Sequence, residues 1–332
     1  MTVVEQSVAP IRMRRRATRG LTTVVLALVL LAICGFAFAP SSVSKGALLG
    51  MLPFAAVLAI VAIGQTLVVM QGGIDLSIAG SVSLTVVIVT HQAYGNNSKV
   101  LPAALVALGV ALAAGALNGF MVGRLGLNAI VATLGTNALL YAGVLGVSGG
   151  TPRQTTDLMA AIAGNSTLGI PNSIYFAVVA VGIATVVVKR TVMGRRFEAV
   201  GANGAAAGAT GLRVRRFRGG GYIAAATLYW LGGVLLSGIL NKPTAYQGDS
   251  YLLASVAAVV LGGTSLLGGR GDLLATALAA LFLTQLTQFV LALGVTTSVQ
   301  TLVQAAALGI GVALYTINWS RIFRTGRTRP AT

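Results

Sequence analysis

Uncharged polar side chains recur inside the long apolar stretches of this sequence. Gln285 and Gln288 lie three residues apart, so a helix would place both on one face. Gln300 and Gln304 lie four residues apart, with the same consequence. The other such residues are Gln65, Asn118, Thr136 and Asn137. Amides and hydroxyls both donate and accept hydrogen bonds, which suits a neutral polyhydroxylated solute such as a sugar; the alternative is hydrogen bonding between helices, at about 0.6 kcal/mol per bond.

Membrane helices must position these residues, because the composition is too apolar for a soluble protein. Hydrophobic residues make up 56% of the 332 residues, charged residues only 9%, and the mean hydropathy is +0.88. A soluble domain carries roughly 25% charged residues. We therefore predict an all-α integral membrane protein, and a crossing length of about 20 apolar residues predicts about ten spans. They cover residues 21–39, 46–69, 76–94, 100–122, 127–147, 171–188, 219–240, 251–268, 273–293 and 297–318.

The formal net charge of +17 fits an orientation signal. With a cytoplasmic N-terminus, ten crossings place 19 of the 23 Lys and Arg residues on the cytoplasmic side, as the positive-inside rule requires. We predict that both termini are cytoplasmic, that residues 1–20 and 321–332 are basic tails, and that residues 21–320 form one transmembrane domain. A basic excess can also indicate nucleic-acid binding. Because most of these positive charges fall on the cytoplasmic side, however, the excess is explained by membrane orientation and by attraction to lipid headgroups. We therefore expect no nucleic-acid partner.

Several kinds of chemistry lack the residues they need. One cysteine and one histidine cannot build a disulfide or a His/Cys metal site, so we expect no metal. The carboxylates are predicted in loops or tails, with Asp75 and Asp272 at span ends. Carriers coupled to protons or sodium usually hold ionisable groups inside the membrane, which disfavours ion coupling. No acid pair or Ser/His arrangement indicates a catalytic site, and we expect no bound cofactor.

Glycine is abundant within the predicted spans, at 43 residues in the whole chain. Gly115 and Gly119 have the GxxxG spacing that lets membrane helices approach closely. Glycines can also mark discontinuous helices along a solute path, but we favour packing. The pair Gly72–Gly73 and the pair Gly262–Gly263 lie five spans apart, which suggests an inverted 5+5 repeat.

A long cytoplasmic loop is predicted at 189–218 and carries eight of the positive charges. The chain has no GxxxxGK[ST] phosphate-binding loop, so transport driven by ATP would need an ATPase on another polypeptide. Within the loop, residues 203–210 are alanine-rich and predict a short helix. Asn203 would be its N-cap, with Gly201 before the helix and Gly211 closing it.

The same loop offers a possible docking surface for such an ATPase. Phe197 and nearby small residues could enter a groove on a partner, with Arg195 and Arg196 surrounding it with charge. The alternative is a solvated basic loop that only fixes the topology.

Four stretches occur in an order that resembles a known family. They are GGIDLSIAGS at 72–81, LNG at 117–119 followed by NAIVATLGT at 128–136, the loop segment near 195–211, and VVLGGTSLLGGRG at 259–271. Together they resemble the membrane subunits of bacterial carbohydrate ABC importers, in the ribose/xylose/galactose permease branch. By position, Arg195, Arg196, Glu198, Gly201 and Asn203 match the coupling motif, and Asp75, Ser77, Asn118 and Gly263 match the membrane motifs.

The resemblance implies an assembly in the bacterial cytoplasmic (inner) membrane. Two permease copies, as a homodimer or a heterodimer, would enclose a central path. Two ATPase subunits would hold ATP and Mg²⁺, and an extracytoplasmic binding protein would deliver a sugar. The chain departs from ribose-type members at Tyr251–Leu252–Leu253–Ala254–Ser255, where both of their usual carboxylates are missing, which argues against ribose itself. A stand-alone carrier or facilitator for a small neutral polar solute is the alternative.

Overall fold

The computed structural model describes residues 17–296 and isolated positions between 298 and 309. The helices are α1 (Ala17–Phe38), α2 (Lys45–Met70), α3 (Ile78–Ala93), α4 (Val100–Gly123), α5 (Ala129–Ser148), α6 (Asp157–Met159), α7 (Asn172–Arg190), α8 (Val192–Ala202), α9 (Gly204–Ala209), α10 (Val214–Ile239), α11 (Asp249–Leu261) and α12 (Leu273–Ala292). Shorter helical turns cover Pro40–Val43, Asn97–Lys99 and Ala160–Gly164. Strands β1 (Ser166–Thr167) and β2 (Ile170–Pro171) form a small antiparallel hairpin.

Nine of these helices follow the first nine predicted spans in order. Seven of them, α1, α2, α4, α5, α7, α10 and α12, are long and apolar enough to cross a membrane, whereas α3 and α11 are apolar but shorter, at 16 and 13 residues. The all-α membrane architecture is therefore confirmed. The predicted tenth span, 297–318, lies largely outside the described residues, so the count of ten stays a prediction.

The two largest differences between the helix ends and the predicted spans are in α11 and α10. The eighth span was expected to reach residue 268, but α11 ends at Leu261, because Gly263 adopts φ +79° and turns the chain. The seventh was expected to begin at residue 219, but α10 already begins at Val214 inside the predicted loop. Helical backbone bonding needs no apolar side chains, so this helix continues past the hydrophobic stretch into basic sequence.

The centre of the bundle is built from α2, α3 and α10. All residues of α2 from Ala55 to Met70 are buried, and so is nearly all of α3, whereas α1 keeps a broad apolar face exposed. A helix that is apolar on all sides suits a position enclosed by other helices. Helices α4, α5, α7, α11 and α12 surround this centre, with α1 packed on α12.

Glycines let α4 and α10 approach closely, which confirms the packing role predicted for the GxxxG spacing. A Cβ added at Gly115 would lie 2.9 Å from the Tyr222 carbonyl oxygen, and one at Gly119 would lie 2.6 Å from the Gly219 carbonyl oxygen. Gly123 faces α10 in the same way, 2.9 Å from the Gly219 nitrogen. The two backbones are therefore in direct contact along three turns.

Gly119→Leu should destabilise the bundle, because the new side chain has no space against α10. Overpacking of this kind costs about 1–3 kcal/mol, or more where backbone must move. The measurement is the midpoint of unfolding when the purified protein in mild detergent is titrated with sodium dodecyl sulfate. Gly109→Leu in the same helix is the control, since nothing lies within 4 Å of a Cβ added there. Equal midpoints for the two variants would contradict the packing argument.

Candidate functional site

Four of the predicted polar residues form one buried hydrogen-bonded chain. The Ser77 hydroxyl donates to Asp75 Oδ1 at 2.6 Å, and Asn118 Nδ2 donates to Ser77 Oγ at 2.9 Å. The Thr136 hydroxyl donates to Asn118 Oδ1 at 2.6 Å. All four side chains are at least 98% buried. This buried polar network joins the segment before α3 to α4 and α5.

Two further predicted residues extend the network. The backbone N–H of Asp75 and the Tyr229 hydroxyl both donate to Gln65 Oε1, at 3.4 and 3.2 Å. Asn137 Oδ1 accepts the N–H of Gly80 at 2.8 Å. Gln65 therefore ties α2 to α10, and Asn137 ties α5 to the first turn of α3.

The network also contains a buried acid. Asp75, predicted at a span end, is enclosed by the bundle, and its Oδ1 accepts both the N–H and the hydroxyl of Ser77. A buried carboxylate requires such bonds. The geometry gives Gln65, Asp75, Ser77, Asn118, Thr136 and Asn137 a helix-joining arrangement, and their predicted place along a solute path stays a prediction.

The amides of the ninth predicted span lie apart from this network. Gln285 is buried on α12, where its Nε2 donates to the Ser42 carbonyl oxygen at 3.3 Å. Gln288 is half-buried on the same helix. Gln300 and Gln304 fall outside the described residues.

The predicted coupling segment touches the end of α2 and the loop 262–272 at one point. A Cβ added at Gly201 would lie 1.9 Å from the Met70 carbonyl oxygen, so only glycine fits there. The same carbonyl oxygen accepts the N–H of Gly269 at 2.8 Å. Gly268 and Gly269 both have positive φ, which brings the loop 262–272 against α8. The end of α8, the end of α2 and this loop therefore meet backbone to backbone.

Phe197 corrects one expectation. It was predicted to enter a groove on a partner, but its side chain is 92% buried in a cluster with Ile63, Met70 and Val188 of the same chain. Its carbonyl oxygen accepts Gln71 Nε2 at 2.9 Å. The reason is the amphipathic pattern of α8, in which Gly194, Phe197 and Val200 share the buried face.

The opposite face of α8 is open. Arg195 and Arg196 are exposed there, together with the apolar side chains of Val192 and Met193. We call these four residues the coupling surface. Glu198 lies at its edge and pairs with Lys189 of α7 at 2.5 Å.

The predicted short helix of the loop is present as α9. Asn203 caps it, because its Oδ1 accepts the N–H of Ala206 at 3.0 Å. Gly211 follows the helix with φ +83°, a conformation that favours glycine. The helix α8 just before it was not predicted.

One polar and aromatic cluster was missed from the sequence. The Tyr141 hydroxyl of α5 donates to the carboxylate of Asp249, the first residue of α11. The ring of Tyr246 packs edge-on against Tyr141, with centroids 5.4 Å apart. Tyr246 and Asp249 are exposed, so the cluster can contact another molecule. Tyr246 and Asp249 are three positions apart, but nothing in the sequence signals that Tyr141 joins them.

Comparisons with known proteins agree on one kind of protein. Residues 47–311 match the family described as branched-chain amino acid transport system / permease component. The chain is 37% identical over 298 residues to the probable ABC transporter permease protein y4mJ of Sinorhizobium fredii, covering 89% of each chain. It is 32% identical over 296 residues to the ribose import permease protein RbsC of Escherichia coli, covering 87% of this chain and 91% of that one. It is also 32% identical over 260 residues to the fructose import permease protein FruF of Bifidobacterium longum, covering 75% and 72%. No solved structure matches the chain.

The buried network predicts energetic coupling between residues that do not touch. Ser77→Ala and Thr136→Val each remove a bond to Asn118, so their effects on unfolding should be non-additive by about 0.5–1.5 kcal/mol. The control cycle pairs Ser77→Ala with Thr284→Val. The Thr284 hydroxyl donates to the Ala280 carbonyl oxygen within α12. That pair should be additive within about 0.5 kcal/mol. Equal coupling in both cycles, measured by denaturant titration in micelles, would refute a specific network.

Proposed function

The chain belongs to the family of branched-chain amino acid transport system permease components, and from this membership we propose that it moves a sugar into the cell. It is a multi-pass protein of the bacterial inner membrane. In this proposal it is the translocation subunit of an ATP-driven importer. Separate ATPase subunits hold ATP and Mg²⁺, and an extracytoplasmic binding protein delivers the sugar.

The sugar class rests on the relatives. Two relatives that share about a third of their residues with this chain are named for ribose and fructose import, although the family description names branched-chain amino acids. The chain's own support is the cluster of Tyr141, Tyr246 and Asp249. Aromatic rings and a carboxylate suit a polyhydroxylated ligand, because the rings cover its C–H faces and the carboxylate accepts its hydroxyls.

The meeting of Gly201 with the Met70 carbonyl carries the proposal of ATP coupling. An ATPase bound at the coupling surface would move α8, and α8 cannot move without displacing the end of α2 and the loop 262–272. A solvated loop that only fixed topology would need no such contact. The basic side chains Arg195 and Arg196 would contribute charge complementarity at the docked face.

We also propose cytoplasmic termini, ten spans and an inverted repeat. The charge distribution supports the termini. The glycine pairs at 72–73 and 262–263 do not support inversion, because their loops touch each other at one end of the bundle. Better support comes from α3 and α11, which are both short and both follow a non-helical segment, 71–77 and 240–248. In the ten-span arrangement these segments enter from opposite sides, five spans apart, as an inverted repeat requires.

Reconstitution tests the importer proposal against a stand-alone facilitator. Liposomes that contain the permease and its ATPase, supplied with the binding protein, should take up labelled ribose or fructose. Uptake should require ATP on the side of the membrane where the ATPase is bound. Gly201→Ala should lower uptake at least tenfold while ATP hydrolysis continues, because the added Cβ separates α8 from α2. Gly208→Ala is the matched control, since its Cβ would meet only a Val214 methyl at 3.8 Å. ATP-independent uptake by the permease alone would contradict the importer proposal.

The aromatic cluster gives a separate test of the sugar path. Asp249→Asn and Tyr246→Leu should each lower the rate of uptake about tenfold, the effect of losing a hydrogen bond to a charged group or its supporting ring. ATP hydrolysis stimulated by the loaded binding protein should persist. Tyr175→Leu is the control, because this exposed tyrosine donates to the Thr167 carbonyl oxygen of the nearby hairpin and lies outside the cluster. Unchanged uptake in both cluster variants would remove the cluster from the path.

A further inference from the structure

A half-open cavity of about 340 Å³ lies beside the coupling segment. Its walls come from the ends of α2 and α4, the loop 124–128, the start of α5, the end of α8, one face of α10 and the loop 262–272. In the proposed topology it opens at the cytoplasmic end of the bundle. None of the residues assigned to the sugar path lines it.

Three polar atoms in the cavity walls have no hydrogen-bond partner among the described residues. They are Nε of Arg218, the hydroxyl of Tyr222 and Oε1 of Gln71. Tyr222 is 1% exposed and Gln71 is 8% exposed. Arg218 and Tyr222 lie four residues apart on α10, so both point to the same side. Because buried polar groups are normally paired, this grouping points to a ligand that pairs them.

The charge of the cavity favours a negatively charged ligand. Arg218 is its charged lining residue, and no carboxylate belongs to its described walls. The 20-residue helix α5 also begins at the cavity, with Asn128 and Ala129 in the wall. A helix N-terminus carries partial positive charge and attracts anions. The arginine fork matches the oxygens of a phosphate group.

The remaining groups narrow the ligand further. Gln71 Oε1 accepts hydrogen bonds, so it needs a hydroxyl or amine donor, which a phosphodiester alone does not supply. The volume has room for more than a phosphate ion. Leu127 and Leu267 in the wall are 48% and 92% exposed, which gives the mouth an apolar rim.

We propose that this cavity binds a glycerol phosphate group, either the headgroup of phosphatidylglycerol or a free glycerol phosphate. Arg218 and Tyr222 donate to the phosphate oxygens, and Gln71 accepts from a glycerol hydroxyl. Basic pockets between membrane helices on the cytoplasmic side are suited to anionic headgroups. Because Gly201 forms part of the wall, the bound group would contact α8 and α10 together and stabilise the position of the coupling segment.

Native mass spectrometry of the purified chain tests this proposal without any transport assay. Phosphatidylglycerol should bind at least tenfold more tightly than phosphatidylcholine with the same acyl chains. Arg218→Gln should lower that affinity about tenfold, as expected for loss of a charge-assisted bond. Arg216→Gln is the control, because Arg216 is exposed and points away from the cavity, two residues along the same helix.

Tyr222→Phe keeps the ring and removes only the hydroxyl, so it should fold and lower the affinity a few-fold. Glycerol 3-phosphate is the second probe. If it binds with the same dependence on Arg218 while phosphatidylglycerol does not, the ligand is the free phosphate ester. If neither probe binds in an Arg218-dependent way, or if Arg216→Gln has the same effect, the proposal is overturned.

Discussion

The chain leaves helical geometry between α2 and α3 while other helices still enclose it. Backbone groups freed inside a membrane bundle have no water to bind, so the protein itself must pair them. Side chains supply the pairing: Thr133 accepts the N–H of Leu76 at 2.9 Å, and Asp75 accepts the N–H of Ser77 at 2.8 Å. Those side chains need partners in turn, which brings in Asn118 and Thr136. The buried polar network is thus a consequence of a non-helical segment enclosed in a bundle where water cannot pair its backbone groups.

The second broken segment follows the same rule. The N–H of Gly248, just before α11, donates to Ser83 of α3 at 2.9 Å, and Gly248 packs against the Ala79 carbonyl so closely that a Cβ would not fit. Helix α3 is therefore held at its first turns by this segment as well as by the segment that precedes it. Its 16 residues span about 24 Å, less than the hydrocarbon thickness of about 30 Å. The two segments enter the bundle because their neighbouring helices are short.

The sequence predicted the helices better than their ends or contacts. Hydropathy locates apolar stretches, but the end of α11 depends on the φ of Gly263. The amides could not be assigned to path or packing, because both roles need the same side chains. The burial of Phe197 could have been predicted from the sequence, because Gly194, Phe197 and Val200 recur at helical spacing on one face. The contact of Tyr141 with Asp249 joins residues 108 apart and requires the fold.

Backbone contact makes the coupling segment a stiff link. Where Gly201 meets the end of α2, the contact is made by backbone atoms: the Gly201 backbone, the Met70 carbonyl and the Gly269 N–H. Met70 and Gln65 lie on the same buried end of α2, little more than one turn apart. Gln65 holds the N–H of Asp75 and the hydroxyl of Tyr229. A shift of α8 would therefore reach the network that fixes the broken segment, and it would do so through a rigid helix end. Glycine is required at position 201 because a Cβ there would lie 1.9 Å from the Met70 carbonyl oxygen, so any larger residue would push α8 and α2 apart.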